Sequence, residues 1–265
     1  MIKIILQLGL MIILFLGSWV GLSQINWIKI FHVQEIKSST EERLGDIFWE
    51  LFSNEERVLK DSVVINPIDS LINHVYKYNS IDRNKIKLHI IKNNEINAFT
   101  LPDNHLVVYS GLINACDNEA ELTGVICHEI GHMEKHHIIR KLRNEIGLSV
   151  LTSITTGGHG GEAARKGIKV LTSTAYDRKL ETEADLTAID LMIKAKIDPE
   201  PYASLMLKLS DQENHLPDQV YWISTHPDSK ERADKIMDYI KGKEIIKSRI
   251  LSKETWIRLK EFVEN

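Results

Sequence analysis

The stretch GVICHEIGHMEKHH, residues 124–137, holds four of the eleven histidines of this 265-residue chain. Its apolar residues recur at helical spacing, and Asn118 followed by Glu121 resembles a capping box, so the sequence predicts a helix from about residue 118 onward. A buried helix does not ordinarily carry two histidines and a glutamate on or near its apolar side, because unpaired polar groups are costly to bury. The stretch therefore predicts a functional site on a core helix.

Within this stretch, His128-Glu129-Ile130-Gly131-His132 matches the pattern H-E-x-x-H. Residues four apart on an α-helix differ by about 40° around the axis and about 6 Å along it, so both imidazoles can bind one ion. Zinc suits them because it accepts nitrogen ligands in a tetrahedral arrangement. Glu129 lies about 100° round from His128, where it can hold a metal-bound water instead of the metal. The pattern predicts one zinc ion per subunit, bound by His128 and His132.

A tetrahedral catalytic site needs a third protein ligand and one open position. One class of zinc proteases uses a third histidine six residues after the second, but that position is Ile138 here. Further along, Glu181 and Asp185 are four apart on a predicted helix. Glu181 can reach the metal, and Asp185 can accept the remaining N–H of a histidine ligand. Glu183 points to another face and is the weaker candidate. Acidic pairs at this spacing are common on solvated helices, so this one is informative only beside H-E-x-x-H.

The chain resembles the HtpX and CAAX-prenyl-protease family of zinc metallopeptidases, within the gluzincin group, in its soluble or singly anchored branch. The matching pieces run from about residue 60 to 240. Four pieces carry the resemblance, in this order: Asn97-Ala98-Phe99 before a strand, His128-Glu129-x-x-His132, Glu181-x-x-x-Asp185, and Ser224-Thr225-His226-Pro227 with Arg232 behind it. The resemblance implies Glu181 as the third ligand and Glu129 as the catalytic base. It also implies an α+β, zincin-like fold, mostly helical, with a small sheet whose edge strand borders the active-site cleft.

The activity implied by this resemblance is that of a zinc metalloendopeptidase, which hydrolyses peptide bonds with a metal-bound water activated by Glu129. Misfolded, membrane or envelope proteins are the substrates that it suggests. Tyr176, His226 and Arg232 are candidates to stabilise the oxyanion, and His226 is also a candidate to fill the fourth metal position and hold the enzyme latent. The alternative is a zinc-binding chaperone-like or regulatory module with little turnover, although such a module could dispense with Glu129.

Asn97, Ala98 and Phe99 are predicted to border the cleft. An extended protein or peptide substrate would add to this edge as a further strand, through main-chain hydrogen bonds. An ordinary interior strand is the competing interpretation of each residue taken singly.

Residues 4–22 are almost entirely apolar and follow Lys3. About 20 such residues span a bilayer as a helix, which predicts a membrane anchor. Small residues before Gln24 also fit a cleaved signal peptide. Either reading predicts an exported protein, membrane-anchored and facing the periplasm or extracytoplasmic side, or secreted or periplasmic if residues 1–23 are removed.

The composition is that of a globular protein, with 43% apolar residues, 26% charged residues and a formal charge of −4. No basic patch indicates nucleic-acid binding, and two cysteines are too few for a disulfide framework. The predicted organisation is an anchor or signal peptide (1–24), a connector with an amphipathic helix (25–60) and a zinc metallopeptidase domain (61–265). Pro67 predicts the first turn of a helix, and the glycines at 157–161 predict a loop.

Overall fold

The computed structural model describes residues 38–81, 86–156, 160–213 and 221–264, together with five isolated helical positions between residues 7 and 17. The chain separates into Met1–Lys37 and Ser38–Asn265, and all that follows concerns the second unit. The predicted anchor or signal peptide lies largely outside the described residues. No helix within the described ranges is both long and apolar enough to cross a membrane. The domain boundaries at 24 and 60 stay a prediction.

Helices make up most of the second unit and surround one small sheet. In chain order the helices are α1 (Ser38–Ser53), α2 (Ser62–Asn79), α3 (Ser110–Ala115), α4 (Glu119–Glu134), α5 (His137–Ile146), α6 (Leu148–Thr156), α7 (Gly160–Ser173), α8 (Arg178–Lys194), α9 (Glu200–Glu213), α10 (Tyr221–Thr225), α11 (Ser229–Ile240) and α12 (Lys253–Glu264).

The sheet has four strands in the order β1-β2-β4-β3. They are β1 (Val58–Leu59), β2 (Lys87–Ile91), β3 (Ala98–Leu101) and β4 (His105–Tyr109). β4 pairs parallel to β2 and antiparallel to β3, while β1 is antiparallel to β2. Asp103 and Asn104 make the β3–β4 turn with φ of 58° and 57°, in the left-handed region that Asp and Asn enter more readily than most residues. The predicted α+β fold is confirmed, and β3 forms one edge of the sheet.

Helix α2 begins at Ser62, so the prediction that it starts at Pro67 was wrong. The Asp61 side chain accepts a hydrogen bond from the Val63 N–H at 2.8 Å and caps the helix. Pro67 consequently lies inside the helix, where it cannot donate to the carbonyl four residues before it. Pro67 is buried with Ile68, and burial of this apolar face offsets the missing hydrogen bond.

The glycine-rich segment is helical from Gly160 onward, so the predicted loop was wrong there, and residues 157–159 lie outside the described part. Ala164, Val170 and Leu171 of α7 are buried. These apolar positions share one face, and packing of that face stabilises a helix that its glycines alone would disfavour.

Helix α4 is the central element, packed against α8, α9 and β3. Asn118 caps it by accepting from the backbone N–H groups of residues 120 and 121. Two glycines let neighbouring helices approach closely. A Cβ on Gly131 would lie 2.8 Å from the Ala184 carbonyl oxygen of α8, and one on Gly124 would lie 2.4 Å from the Tyr202 side chain of α9. Close approach at Gly131 brings α8 within reach of the histidines on α4.

Candidate active site

Four buried side chains that can bind a metal meet at the centre of the domain: His128, His132, Glu181 and His226. The first two come from α4, Glu181 comes from the first turn of α8, and His226 directly follows α10. The Nε2 atoms of His128 and His132 are 3.0 Å apart, and His226 Nδ1 is 3.1 Å from His128 Nε2. Glu181 Oε1 lies 3.3 Å from His132 Nε2 and 3.0 Å from His226 Nδ1. The fold thus brings the three predicted ligands and the predicted switch residue together.

The spacing of these donor atoms fits a zinc ion. Ligands about 2.0–2.1 Å from a tetrahedral zinc are about 3.3 Å from one another. Four separations in the cluster run from 3.0 to 3.3 Å, and all four donor atoms lie within 4.8 Å of one another. Three imidazole nitrogens and one carboxylate oxygen form a donor set that zinc accepts. The predicted zinc cofactor agrees with this chemistry.

Asp185 orients His128. Its Oδ1 lies 2.9 Å from His128 Nδ1, on the side of the ring opposite Nε2. The same carboxylate accepts hydrogen bonds from the Tyr202 hydroxyl at 3.1 Å and from Nε and Nη2 of Arg232, both at 2.7 Å. These contacts assign the proton of His128 to Nδ1 and leave Nε2 unprotonated toward the cluster, as a metal ligand requires.

Arg232 pairs with two of the carboxylates of α8, Glu181 and Asp185. Besides its bidentate pair with Asp185, its Nη1 lies 2.7 Å from Glu181 Oε2 and donates to the His226 carbonyl at 3.1 Å. Burial raises the pKa of both carboxyls, but nearby cationic or hydrogen-bonding groups outweigh this effect. His226, Arg232 and His128 hold the pKa of Glu181 well below its usual range, and Arg232 and His128 do the same for Asp185. Both carboxylates are therefore ionised across the neutral pH range.

A second chain of contacts supports His132. His137 Nδ1 lies 3.0 Å from His132 Nδ1, and His137 Nε2 lies 3.2 Å from Glu183 Oε2. If His132 Nε2 faces the metal, its Nδ1–H donates to His137, whose Nε2–H then donates to Glu183. Glu183 was ranked as the weaker acidic candidate, and the helical pattern did not indicate the contact between His137 and His132. The missing information was the turn at His136, where φ of 53° reverses the chain and returns His137 to α4.

Glu129 lies beside the cluster and is 1% exposed. Its Oε2 accepts a hydrogen bond from the Thr100 hydroxyl of β3 at 3.2 Å, and its Oε1 lies 3.4 Å from His226 Nε2. Burial raises the pKa of Glu129 to about 7, against the opposing effect of His128. The Trp222 indole N–H also lowers this pKa, although it is outside hydrogen-bonding geometry. Nothing in the sequence pattern indicated Trp222.

Tyr176 lies against two of the histidines. Its ring centroid is 4.1 Å from that of His132 and 5.5 Å from that of His226, and the Lys141 ammonium lies 3.7 Å above it. Burial raises the pKa of Tyr176 well above its usual value, and the nearby carboxylates add to this effect. The hydroxyl therefore stays protonated and can donate a hydrogen bond.

Strand β3 is the edge strand of the sheet next to Glu129, and all four of its residues are buried. The Tyr109 N–H donates to the Asn97 carbonyl at 3.1 Å. This bond determines which residues of β3 direct their backbone N–H and C=O groups toward β4 and which direct them away from it. The N–H and C=O groups of Ala98 and Thr100 consequently point away from β4. The backbone N–H and C=O of Thr100 point away from β4, and its side-chain hydroxyl contacts Glu129. A strand added at this edge would therefore pass the predicted base.

Comparison with known proteins places this site within a described family. Residues 66–240 match the sequence model of peptidase family M48. The mitochondrial metalloendopeptidase OMA1 of Schizosaccharomyces pombe is 28% identical over 183 residues, covering 68% of this chain and 54% of that protein. The beta-barrel assembly-enhancing protease of Escherichia coli K12 is 25% identical over 199 residues, covering 71% and 41%. The chain thus spans about half, or less, of the length of these relatives.

Proposed function

Because the chain belongs to peptidase family M48, whose pattern covers most of the described unit, we propose that it is a zinc metalloendopeptidase that hydrolyses peptide bonds. The observation that carries this proposal is the convergence of His128, His132 and Glu181, at zinc-compatible spacing, beside a buried Glu129 that is not itself part of the donor cluster. A metal ligand set adjacent to a free carboxylate is the arrangement that metal-assisted hydrolysis requires.

In the proposed reaction, His128, His132 and Glu181 hold the metal. A zinc ion bound by these residues would lower the pKa of a water towards about 7 and would polarise the scissile carbonyl. Glu129 takes a proton from the attacking water and passes it to the departing amine. Burial raises the pKa of the Glu129 carboxyl, whereas a cation bound beside it shifts that pKa downward.

Asp185 and Arg232 support the ligands in this proposal. Asp185 fixes the tautomer of His128, and Arg232 supplies the positive charge that pairs with both Glu181 and Asp185. The N–H groups of Arg232 are already engaged with Asp185, Glu181 and the His226 carbonyl. We therefore assign oxyanion stabilisation to the protonated Tyr176 hydroxyl and not to Arg232.

We further propose that His226 holds the resting enzyme latent. Its Nδ1 supplies the fourth donor atom, at the position that catalysis needs open. Its Nε2 also lies 3.4 Å from Glu129 Oε1, so one side chain occupies both the fourth ligand position and the neighbourhood of the base. Substrate would have to displace it. The same observation favours the second candidate function, a zinc-binding chaperone-like or regulatory module with little turnover.

We propose that protein substrates bind as an extended strand along β3, once the segments that bury Ala98 and Thr100 have moved; the backbone groups of these two residues, which point away from β4, support this proposal. Misfolded, membrane or envelope proteins are the proposed clients, supported by relatives whose names refer to mitochondria and to beta-barrel assembly. Export, with the amino-terminal segment either retained as an anchor or cleaved, remains the proposed location.

Metal analysis paired with a proteolysis assay tests the proposal. Wild type, Glu129→Gln and the matched control Glu134→Gln, which changes an exposed glutamate on the same helix, are purified and given casein. We expect about one zinc per chain in all three, and a loss of casein degradation of about 100-fold or more in Glu129→Gln alone. Bound zinc with equal, negligible turnover in all three, also in a His226→Ala background, would support the chaperone-like module. Absence of bound zinc would contradict both functions.

A further inference from the structure

A cavity of about 340 Å³ opens beside the first residue of the cleft edge, Asn97. Phe52 of α1 and Tyr109 of β4 line it together with Asn97, and all three are buried. The half-buried carboxylates of Glu56 and Glu95 also line it. We call this space the glutamate cavity. No step of the proposed reaction uses it.

The cavity lies where an extended substrate would place a side chain. Asn97 precedes Thr100 by three residues, about 10 Å along a strand. Because neighbouring side chains point to opposite faces of a sheet, Asn97 and Phe99 face away from Glu129. Phe99 confirms this direction through edge-on contacts with Phe52 and Tyr109, at 5.4 and 5.8 Å between ring centroids. Side chains of a bound strand that turn away from the metal site therefore turn toward the glutamate cavity.

Three side chains that line the cavity carry hydrogen-bond acceptors for which the described part of the chain supplies no side-chain donor. Asn97 is 3% exposed, and its Oδ1 has no hydrogen-bond partner in the described part of the chain. Glu56 and Glu95 have no ion-pair partner among the described residues either. Burial raises the pKa of each, and a neighbouring glutamate raises it further, Glu55 for the first and Glu56 for the second. A cationic group bound here would relieve both effects.

The cations that line the cavity lie at its rim. Arg165 is exposed and pairs with Glu55, which is exposed as well. Lys169 is exposed and has no ion-pair partner among the described residues. The three glutamates and two basic residues that line the cavity leave one net negative charge.

We propose that the glutamate cavity is a substrate subsite that accepts a lysine or arginine side chain two to four residues from the scissile bond. An ammonium or guanidinium group would donate to Glu56, Glu95 and Asn97 Oδ1, in charge-assisted hydrogen bonds that a neutral side chain of equal length lacks. This inference rests on the proposed function, because it requires substrate to lie along β3.

Peptide binding to the zinc-loaded Glu129→Gln protein tests the subsite without turnover. Labelled ten-residue peptides carry a single arginine at successive positions, and each has a partner with citrulline, which has the same shape and no charge. We expect one position at which arginine binds about fivefold or more tighter than citrulline by fluorescence anisotropy. The preference should fall below twofold in Glu56→Gln/Glu95→Gln. It should persist in Glu50→Gln/Glu244→Gln, which removes the same charge from exposed positions outside the cavity.

Equal affinity for arginine and citrulline at every position, an absence of peptide binding, or a preference that survives the Glu56→Gln/Glu95→Gln change would each overturn the subsite. The proposed function is judged separately, by casein degradation. Casein cleavage without an arginine preference removes only the subsite, whereas an arginine preference without cleavage removes the peptidase activity and, with it, the assignment of the cavity as a substrate subsite.

Discussion

The Nδ1 atom of His137 lies 3.0 Å from the Nδ1 atom of His132, on the side of the His132 ring that faces away from the metal cluster. This contact, with Glu183 behind His137, mirrors the one between Asp185 and His128. Both metal-facing histidines of α4 therefore have the orientation of their ring fixed from outside the cluster.

We expect His137→Leu to weaken zinc binding by about 10- to 100-fold, the usual effect of removing a group that orients a metal ligand. His137→Asn, which keeps an acceptor near the Nδ1 position, should lose less. Competition with a chromophoric chelator measures the affinity, and His136→Asn at the exposed neighbour is the control. A variant that unfolds more easily yet binds zinc normally would show that His137 is only structural.

Replacement of Arg232 by methionine should lower the free energy of unfolding of the metal-free protein by about 3–5 kcal/mol, because Glu181 and Asp185 would remain buried without their counter-charge. Urea denaturation measures the change. Arg178→Met removes a guanidinium that pairs with Asp228 at 2.8 Å but whose side chain is 76% exposed. That control should cost about 1 kcal/mol or less. Similar losses in the two variants would contradict the assigned role of Arg232.

The close approach of α8 to α4 predicts that Gly131→Ala is damaging. A Cβ here would lie 2.8 Å from the Ala184 carbonyl oxygen, so α8 must shift and carry Glu181 with it. We expect a loss of about 1–3 kcal/mol in the free energy of unfolding, together with weaker zinc binding. Gly161→Ala in α7, where no atom lies within 4 Å of the added carbon, should be neutral or stabilising by up to about 1 kcal/mol. Wild-type zinc affinity in Gly131→Ala would show that the contact does not position Glu181.

His89 and His105 predict a loss of stability in acid. Their Nε2 and Nδ1 atoms lie 3.0 Å apart, with Trp49 stacked on His89 at 3.5 Å. Burial lowers the pKa of His89 to about 3 and that of His105 to about 4. His105 contributes to the lower pKa of His89, and Lys87 contributes to the lower pKa of both histidines, while Asp103 partly opposes the decrease at His105.

The unfolded chain titrates these imidazoles near pH 6.5 and therefore binds more protons than the folded chain between about pH 4 and 6.5. Their contribution to stability is complete above about pH 6.5 and declines as the pH falls. Urea midpoints at pH 7.5 and 4.5 should differ less in His89→Gln/His105→Gln than in wild type. An identical difference in both proteins would mean that the pair titrates normally in the folded state.

His226→Ala should raise casein degradation several-fold, because it opens the fourth ligand position, and it should weaken zinc binding because one donor is lost. A fall in degradation with zinc retained would instead assign His226 a catalytic role. Unchanged degradation would contradict both the latch and a role in oxyanion stabilisation.

The local pattern of the sequence was sufficient to predict α4 and its chemistry. The i, i+4 spacing of His128 and His132 fixes their common face whatever surrounds the helix, and the Asn118 cap is equally local. Glu181 and Asp185 were predictable as a pair for the same reason, since helical periodicity sets which side chains share a face. Local rules misplaced the start of α2 and predicted a loop at Gly160, because the energy of burying an apolar face is decided by neighbours distant in the chain.

Tertiary structure alone decided how the pieces meet. Four contacts show this: α8 approaches α4 at Gly131, His137 returns to His132, the Trp222 ring lies beside Glu129, and the glutamate cavity opens beside Asn97. Each joins residues that are distant in the sequence or separated by a reversal of the chain. A sequence specifies periodicity and capping over a few residues, whereas these contacts depend on the angles and distances at which whole helices pack.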